Sequence, residues 1–339
     1  MVYLRKELIS KEIIEDLKHK HYGIYGKHSA VEICEWNKKA LRGEGVCYKE
    51  KFYNVECHRC AQITPAVLWC HQNCIFCWRP AEYMTVDKFT NKDYDNPKEI
   101  IDGLFAERKK LLSGFGGFPK VSKAKLKEAE IPSHVAISLS GEPTIYKDLW
   151  KMITELKKRK ETKSIFVVTN GMEPENLLTL QKHNALPTQL YLSFVAPNKE
   201  LHLKINRPKI KNSWERLQKT ISLYPKLKCR RVIRFTLIKG INDDKKYIKD
   251  FVKIFEKSKT DFVEIKAYMF LGYSRKTLKI ENMPSYEDCL KYAKAFEKIS
   301  KDYKISDKCK PSRIVLLKNK NSKYDNFIIK KKRKNKCAK

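Results

Sequence analysis

Ile63-Thr64-Pro65-Ala66-Val67-Leu68-Trp69-Cys70-His71-Gln72-Asn73-Cys74-Ile75-Phe76-Cys77 is the stretch on which the fold turns. The apolar run Ile63–Trp69 has strand length and feeds directly into three cysteines, spaced by three and then two residues. Thiolates so placed can hold three corners of a cubane iron–sulfur cluster, leaving the fourth iron open to bind and polarise a small molecule. Four-cysteine ferredoxin sites close every iron and serve electron transfer instead. Zinc is the alternative occupant, with His71 as a further donor, but zinc sites favour cysteine pairs two residues apart with a second pair distant.

Outward from this stretch the rhythm repeats. His134–Ser140, Ser164–Thr169, Leu190–Val195, Arg231–Ile238 and Phe262–Tyr268 read as further strands, most of them Val/Ile/Phe-rich and followed by a polar or Pro/Gly breaker. Charged, helix-like stretches lie between them, at 147–160, 212–223, 244–258 and 285–303. In the last of these Leu290, Ala293, Phe296 and Ile299 recur at helical spacing. Strand, helix, strand at such intervals predicts parallel strands with crossover helices. The expected fold is α/β, an incomplete (β/α)6-type TIM barrel with an N-terminal cysteine-bearing extension and C-terminal helical additions. A doubly wound sheet is the alternative. The expected division is 1–60 for the extension, 61–310 for the barrel, and 311–339 for a C-terminal strand and basic tail. Within the extension, residues 5–20 read as an amphipathic helix through Leu8, Ile9, Ile13, Ile14 and Leu17. Gly23, Gly26, Gly43 and Gly45 then mark irregular backbone. Chemistry is expected at the strand C-terminal ends, where the breakers fall.

The 339 residues carry 72 Lys and Arg against 39 Asp and Glu, a formal charge of +33. Such an excess attracts polyanions, nucleic acid first among them. A lysine-rich surface adapted to heat is the plainer reading, but such surfaces carry comparable acid. The acid-free run Lys330, Lys331, Lys332, Arg333, Lys334, then Lys336 and Lys339, reads as a disordered tail adding nonspecific affinity. With 42% hydrophobic residues, the chain has material for a large core, which excludes wholesale disorder. No stretch approaches the roughly 18 apolar residues of a membrane span, and the charged N-terminus has no signal-peptide core. A cytoplasmic location, no membrane partner and a monomer are the expectations.

Seven of the eleven cysteines fall between Cys34 and Cys77. In a reducing compartment that clustering asks for a metal rather than for disulfides. Upstream of the first triad stand Cys34, Cys47, Cys57 and Cys60. Cys57-His58-Arg59-Cys60 alone is half of a zinc knuckle, whereas Cys34, Cys47 and Cys60 are evenly spread on an extension able to fold over the barrel mouth and bind another cluster.

The Cys70, Cys74, Cys77 signature with Phe76 before its last cysteine resembles that of the radical S-adenosylmethionine enzymes. Ser140-Gly141-Glu142-Pro143-Thr144 is similar to their glycine–glutamate motif, whose backbone meets the methionine amino group, although Ser140 replaces the usual first glycine. Thr169-Asn170-Gly171 resembles their polar contact to the cofactor, and Ser193 and Arg234 stand where further cofactor contacts fall. An arginine between Ile233 and Phe235 would be costly to bury alone, so Arg234 is expected to face an anion or a carboxylate.

With the upstream cysteines, Trp69, Trp78-Arg79-Pro80 and 264–275, the resemblance narrows to the archaeal 4-demethylwyosine synthase family of wybutosine-pathway tRNA-modifying enzymes. That resemblance implies a carbon–carbon lyase with two [4Fe–4S] clusters, the second held by Cys34, Cys47 and Cys60, with Cys57 as the substitute for Cys60. It implies S-adenosyl-L-methionine as the source of a 5′-deoxyadenosyl radical, and pyruvate as co-substrate. The radical would attack N1-methylguanosine at position 37 of tRNA-Phe, and C2 and C3 of pyruvate would complete the new ring. It implies Lys49 as the amine for a pyruvate Schiff base, Lys51 being the fallback, and electrons from a separate flavodoxin- or ferredoxin-like donor. Tyr268, Phe270, Tyr273 and Arg275 are candidates for the displaced base, with core packing as the plainer reading. Two other readings compete: a different radical enzyme with an auxiliary cluster, and a zinc-stabilised RNA-binding protein.

Overall fold

The computed structural model describes residues 8–87 and 89–330. The basic tail beyond Lys330, Cys337 and the start of the expected 5–20 helix lie outside the described residues. The extension opens with helix α1 (Lys11–His19), which begins later than periodicity suggests because the Ser10 hydroxyl accepts from Ile13 N and caps it there. Strands β1 (Tyr22–Tyr25) and β2 (Ser29–Glu32) form an antiparallel hairpin, followed by helices α2 (Glu35–Arg42) and α3 (Tyr48–Tyr53).

Six parallel strands follow among the described residues: β3 (Cys60–Thr64), β4 (His134–Ile137), β5 (Ser164–Thr169), β6 (Gln189–Ser193), β7 (Arg230–Leu237) and β8 (Phe262–Ala267). Their crossovers carry α4 (Pro97–Leu112) with α5 (Lys123–Ala129), α6 (Leu149–Lys158), α7 (Pro174–Lys182), α8 (Lys199–Asn206) with α9 (Ser213–Leu223), and α10 (Ile248–Ser258). Helix α11 (Tyr286–Ile299), started by a Ser285/Asp288 capping box, leads into the hairpin β9 (Tyr303–Cys309) and β10 (Ile314–Asn319). Sheet order runs β1 through β8, then β10 and β9. This is the expected incomplete barrel, with antiparallel strands added at both margins. Those additions cover the backbone groups that β3 and β8 would otherwise leave as bare edges.

Strand β3 lies three residues before the place its hydrophobicity suggests. Pro65 has no N–H for a ladder, and Thr64 Oγ1 donates to the Ser140 carbonyl at 2.7 Å and accepts from Ala66 N, turning the chain there. The division expected at 60/61 therefore falls inside β3, and that at 310/311 in the β9–β10 turn.

Alternate strand residues face two cores. Ala61, Ile63, Val135, Ile137, Val167, Leu192, Phe235 and Ile265 pack outward under the helices. Ala136, Phe166, Tyr191, Val232 and Phe262 face inward and meet Tyr48, Phe52 and Tyr53 of α3. Helix α3 is thus a plug in the N-terminal half of the barrel, not a flap over the mouth where the strands end. The linker favours it: three of the six residues between Tyr53 and Cys60 are taken up in a 3-10 turn, Cys57–Arg59, which keeps the end of α3 close to the start of β3. The C-terminal segment clamps the plug, since Ile328 N donates to the Tyr53 carbonyl and Asn54 Nδ2 to that of Ile329.

Candidate active site

The loop from Cys70 to Cys77 follows β3 and sits at the strand C-terminal ends. It is stitched to the end of α8: Asn73 N donates to the Asn206 carbonyl at 3.0 Å and Ile75 N to that of Ile205 at 2.9 Å. Two amides point at its sulfurs, Asn170 Nδ2 at Cys70 Sγ (3.7 Å) and Asn206 Nδ2 at Cys74 Sγ (3.3 Å). Burial pushes the Cys70 thiol up to about 12, with Glu142 adding to it, and burial also raises Cys74 and Cys77. Buried thiols of this kind ionise when a metal takes them, and amide donors to the sulfurs are what an iron–sulfur centre uses to settle its charge. His71 Nε2 lies 3.1 Å from Glu173 Oε1. Among the described residues no group of Cys, His, Asp and Glu side chains closes to single-ion spacing. Three buried thiols on one loop, two of them with amide donors at the sulfur, fit the ligand chemistry of an iron–sulfur cluster.

Beside this loop, Glu142 spends its carboxylate on structure. Oε1 accepts from Thr144 N, Thr144 Oγ1 and Thr169 Oγ1, and Oε2 from Asn170 N at 2.7 Å. It ties the turn after β4 to the turn after β5, while its own backbone N–H donates to the Trp69 carbonyl at 2.7 Å and holds that turn against the cysteine loop. Gly141 has φ +70°, and a Cβ there would lie 1.7 Å from the Ala66 carbonyl oxygen. Gly141→Ala is expected to cost about 1–3 kcal/mol in backbone strain alone, and more from the collision. The check is a lowered denaturation midpoint. Phe76 packs partly buried beside Ile75. Ser193, Arg234 and Glu264 are lateral neighbours across β6, β7 and β8.

The second thiol set lies at the opposite end of the strands. Cys34 and Cys47 are the N-cap residues of α2 and α3, and Cys60 opens β3. Burial outweighs the helix N-terminus at Cys34, whose thiol is pushed up to about 12, and burial also raises Cys60. Cys34, Cys47 and Cys60 are half-buried and mutually within electrostatic reach. Cys57 is fully buried, with its thiol donating to the Trp36 carbonyl at 3.3 Å; its sulfur also hydrogen-bonds Cys47, which helps hold Cys47 down at about 7.

Lys49 points into the barrel. Its Nζ lies 4.5 Å from the Phe166 ring centroid and 5.1 Å from that of Tyr191, and burial, then Arg234, push its pKa down. Lys51 faces outward to Asp307 and the Lys308 carbonyl. Next to Lys49, the fully buried Glu264 accepts from Tyr53 (2.6 Å), Tyr48 (3.0 Å) and Arg234 (3.3 Å). Arg234 thus faces the carboxylate expected of it, but on the α3 side and not toward the cysteine loop. Glu264→Ala would strand its guanidinium, so a loss of about 3–5 kcal/mol is expected in denaturant titration.

Residues 65–252 match the radical SAM superfamily, and residues 257–319 match a family described as wyosine base formation. The chain is 44% identical over 309 residues to the S-adenosyl-L-methionine-dependent tRNA 4-demethylwyosine synthase of Pyrococcus horikoshii, covering 91% of this chain and 88% of that protein. The Methanocaldococcus jannaschii enzyme of the same name is 40% identical over 94% of this chain and 99% of its own. The chain belongs to the tRNA 4-demethylwyosine synthases. A solved structure of TYW1 with a lysine-pyruvate adduct bound matches with a TM-score of 0.83 at 37% identity, covering 94% of this chain and 99% of that one.

A tRNA 4-demethylwyosine synthase is a radical enzyme that uses S-adenosyl-L-methionine and a [4Fe–4S] cluster and acts on tRNA, so the zinc-protein reading and the unrelated radical enzyme fall away. Of the residues expected to meet RNA, Tyr268 is 1% exposed with its hydroxyl on Ser274, and Arg275 donates to the Phe270 carbonyl. Tyr273 is half-buried, its backbone N–H directed at the Trp78 carbonyl. Trp78 itself is 43% exposed, directly after Cys77, with the Arg79 guanidinium 3.7 Å from its ring centroid. Asn206 escaped sequence reasoning because nothing local marks it. The N-cap places of Cys34 and Cys47 carried a readable signal, since each precedes a short stretch with helical character.

Proposed function

We propose that this synthase modifies tRNA-Phe bearing N1-methylguanosine at position 37, with Lys49 holding pyruvate as a Schiff base and Cys34, Cys47 and Cys60 holding a second [4Fe–4S] cluster beside it. The observation that carries the reading is the Lys49 amine, which lies over two aromatic rings inside the barrel within electrostatic reach of Cys47 and Cys60. The lysine-pyruvate adduct in the matched TYW1 structure supports the same role.

When bound on Cys70, Cys74 and Cys77, the first cluster and S-adenosyl-L-methionine supply a 5′-deoxyadenosyl radical. The chain's own residues do the rest of the positioning. Asn170 and Asn206 donate to the Cys70 and Cys74 sulfurs, the Gly141-Glu142-Pro143 turn stands at the cofactor end with Phe76 packed behind it, and Ser193, beside Arg234 in the sheet, stands between the two ends. Lys49 Nζ donates its lone pair to pyruvate C2, and water leaves as the imine forms. Arg234, tied to Glu264 and Tyr48, belongs to this pyruvate end. The α3 plug excludes water from the barrel interior, which a primary carbon radical requires. The guanine base enters from the strand C-terminal ends, past Trp78 and Tyr273. Electrons come from a separate flavodoxin- or ferredoxin-like donor, and the enzyme works as a cytoplasmic monomer. Among the described residues no helix is long and apolar enough to cross a membrane.

The test is anaerobic turnover with tRNA-Phe carrying a 13C-methyl N1-methylguanosine-37 and with 13C-labelled pyruvate. The expected product retains the methyl carbon and gains C2 and C3 of pyruvate, and tRNA with plain guanosine gives none. Equal product from unmethylated tRNA, or without pyruvate, would overturn the reading.

A further inference from the structure

Arg108, on the inner face of α4, is the largest of the fully buried side chains. Its Nε and one terminal nitrogen donate to the Cys60 carbonyl at 3.3 and 3.1 Å; that nitrogen also donates to the His58 carbonyl at 3.2 Å, and the other to the Ala129 carbonyl. Every acceptor is a neutral carbonyl. Buried Arg79 has Glu32 against it, Arg234 has Glu264, and buried Arg230, though bonded to neutral acceptors, has the Asp261 carboxylate within electrostatic reach. Among the described residues no carboxylate pairs with Arg108, and the ionisable groups within electrostatic reach are the thiols of Cys60 and Cys34.

An unpaired buried cation costs several kcal/mol. Carbonyl bonding alone does not need that charge, because a neutral amide can also donate to carbonyls. The partner the geometry provides is the anionic centre formed when Cys34, Cys47 and Cys60 bind iron as thiolates. We infer that Arg108 is the charge partner of the second cluster, a positioning residue that holds the Cys57–Cys60 turn and raises the cluster's reduction potential by stabilising its more negative, reduced form. This rests on the proposed second cluster. Net charge and polarity around a cluster set its potential, so the consequence is measurable without turnover.

The experiment uses the full chain with Cys70, Cys74 and Cys77 replaced by alanine, reconstituted anaerobically, so that a single cluster of about four irons reports by electron paramagnetic resonance during redox titration. Arg108→Gln is expected to keep its iron and move the midpoint to a more negative potential, while Arg108→Lys stays with the parent. Loss of iron in Arg108→Gln but not in Arg108→Lys would equally support a requirement for the charge. An unchanged midpoint in Arg108→Gln, or loss of iron in both variants, overturns the inference, the latter by assigning Arg108 to packing alone. Absence of iron from the triple-alanine parent itself would instead sink the second-cluster reading, and the iron count reports that before any Arg108 variant is made.

Discussion

Lys49→Ala is expected to lower formation of the modified base by roughly 10³-fold or more, the scale of removing a covalent catalytic group, while reductive cleavage of S-adenosyl-L-methionine continues. The two reactions separate because their residues separate. In the proposed site the cofactor end is built from the loop after β3 and the turns after β4 and β5. Lys49 enters from the other end on α3, with its amine over Phe166 and Tyr191. Lys49→Arg should be equally inactive, since it restores the cation but not a nucleophilic amine. Borohydride reduction in the presence of pyruvate should label the parent at Lys49 and neither variant. Lys51→Ala should behave as the parent, because Lys51 is on the surface against Asp307. Parental turnover by Lys49→Ala, or a borohydride adduct on another lysine, would remove the Schiff-base assignment.

Replacing Cys34, Cys47 and Cys60 together by alanine should halve the anaerobic iron content, from about eight to about four per chain. It should also abolish product formation while sparing S-adenosyl-L-methionine cleavage. The complementary Cys70, Cys74, Cys77 variant should keep about four irons and lose both reactions. Cys57→Ala is the informative control: its thiol is turned to the Trp36 carbonyl, so full iron is expected, measured by chemical iron and sulfide analysis with Mössbauer spectra. Four irons in the parent and in the Cys34/Cys47/Cys60 variant alike would end the two-cluster description.

Much of the barrel was legible because its information is local. Most of the parallel strands after the first are short β-branched or aromatic runs closed by a breaker, and the predicted Ser164–Thr169 coincides with β5. The first was displaced onto Cys60–Thr64 because Pro65 outranks hydrophobicity where a ladder N–H is needed. The C-terminal strand expected after residue 310 is present as β10, whereas the N-terminal hairpin carries no readable signal. Tyr22–Tyr25 and Ser29–Glu32 are four residues each, too short for alternation to stand out, and they become strands because β3 offers them an edge.

The chemistry is readable along the chain: the three thiols after a strand, the glycine at Gly141 that lets the next turn approach, and the second set of thiols with a lysine among them. These are spacings along one piece of chain, and covalent connectivity preserves them whatever the fold. Which end of the barrel each set occupies, which lysine faces inward, and that Arg234 spends its charge on Glu264 were decided only by the tertiary structure. Glu264 meets Tyr48 across 216 residues, and Asn206 meets Cys74 across 132. Contacts of that range depend on how the sheet curves and on where a short linker can deliver α3, and neither is a property of any single segment.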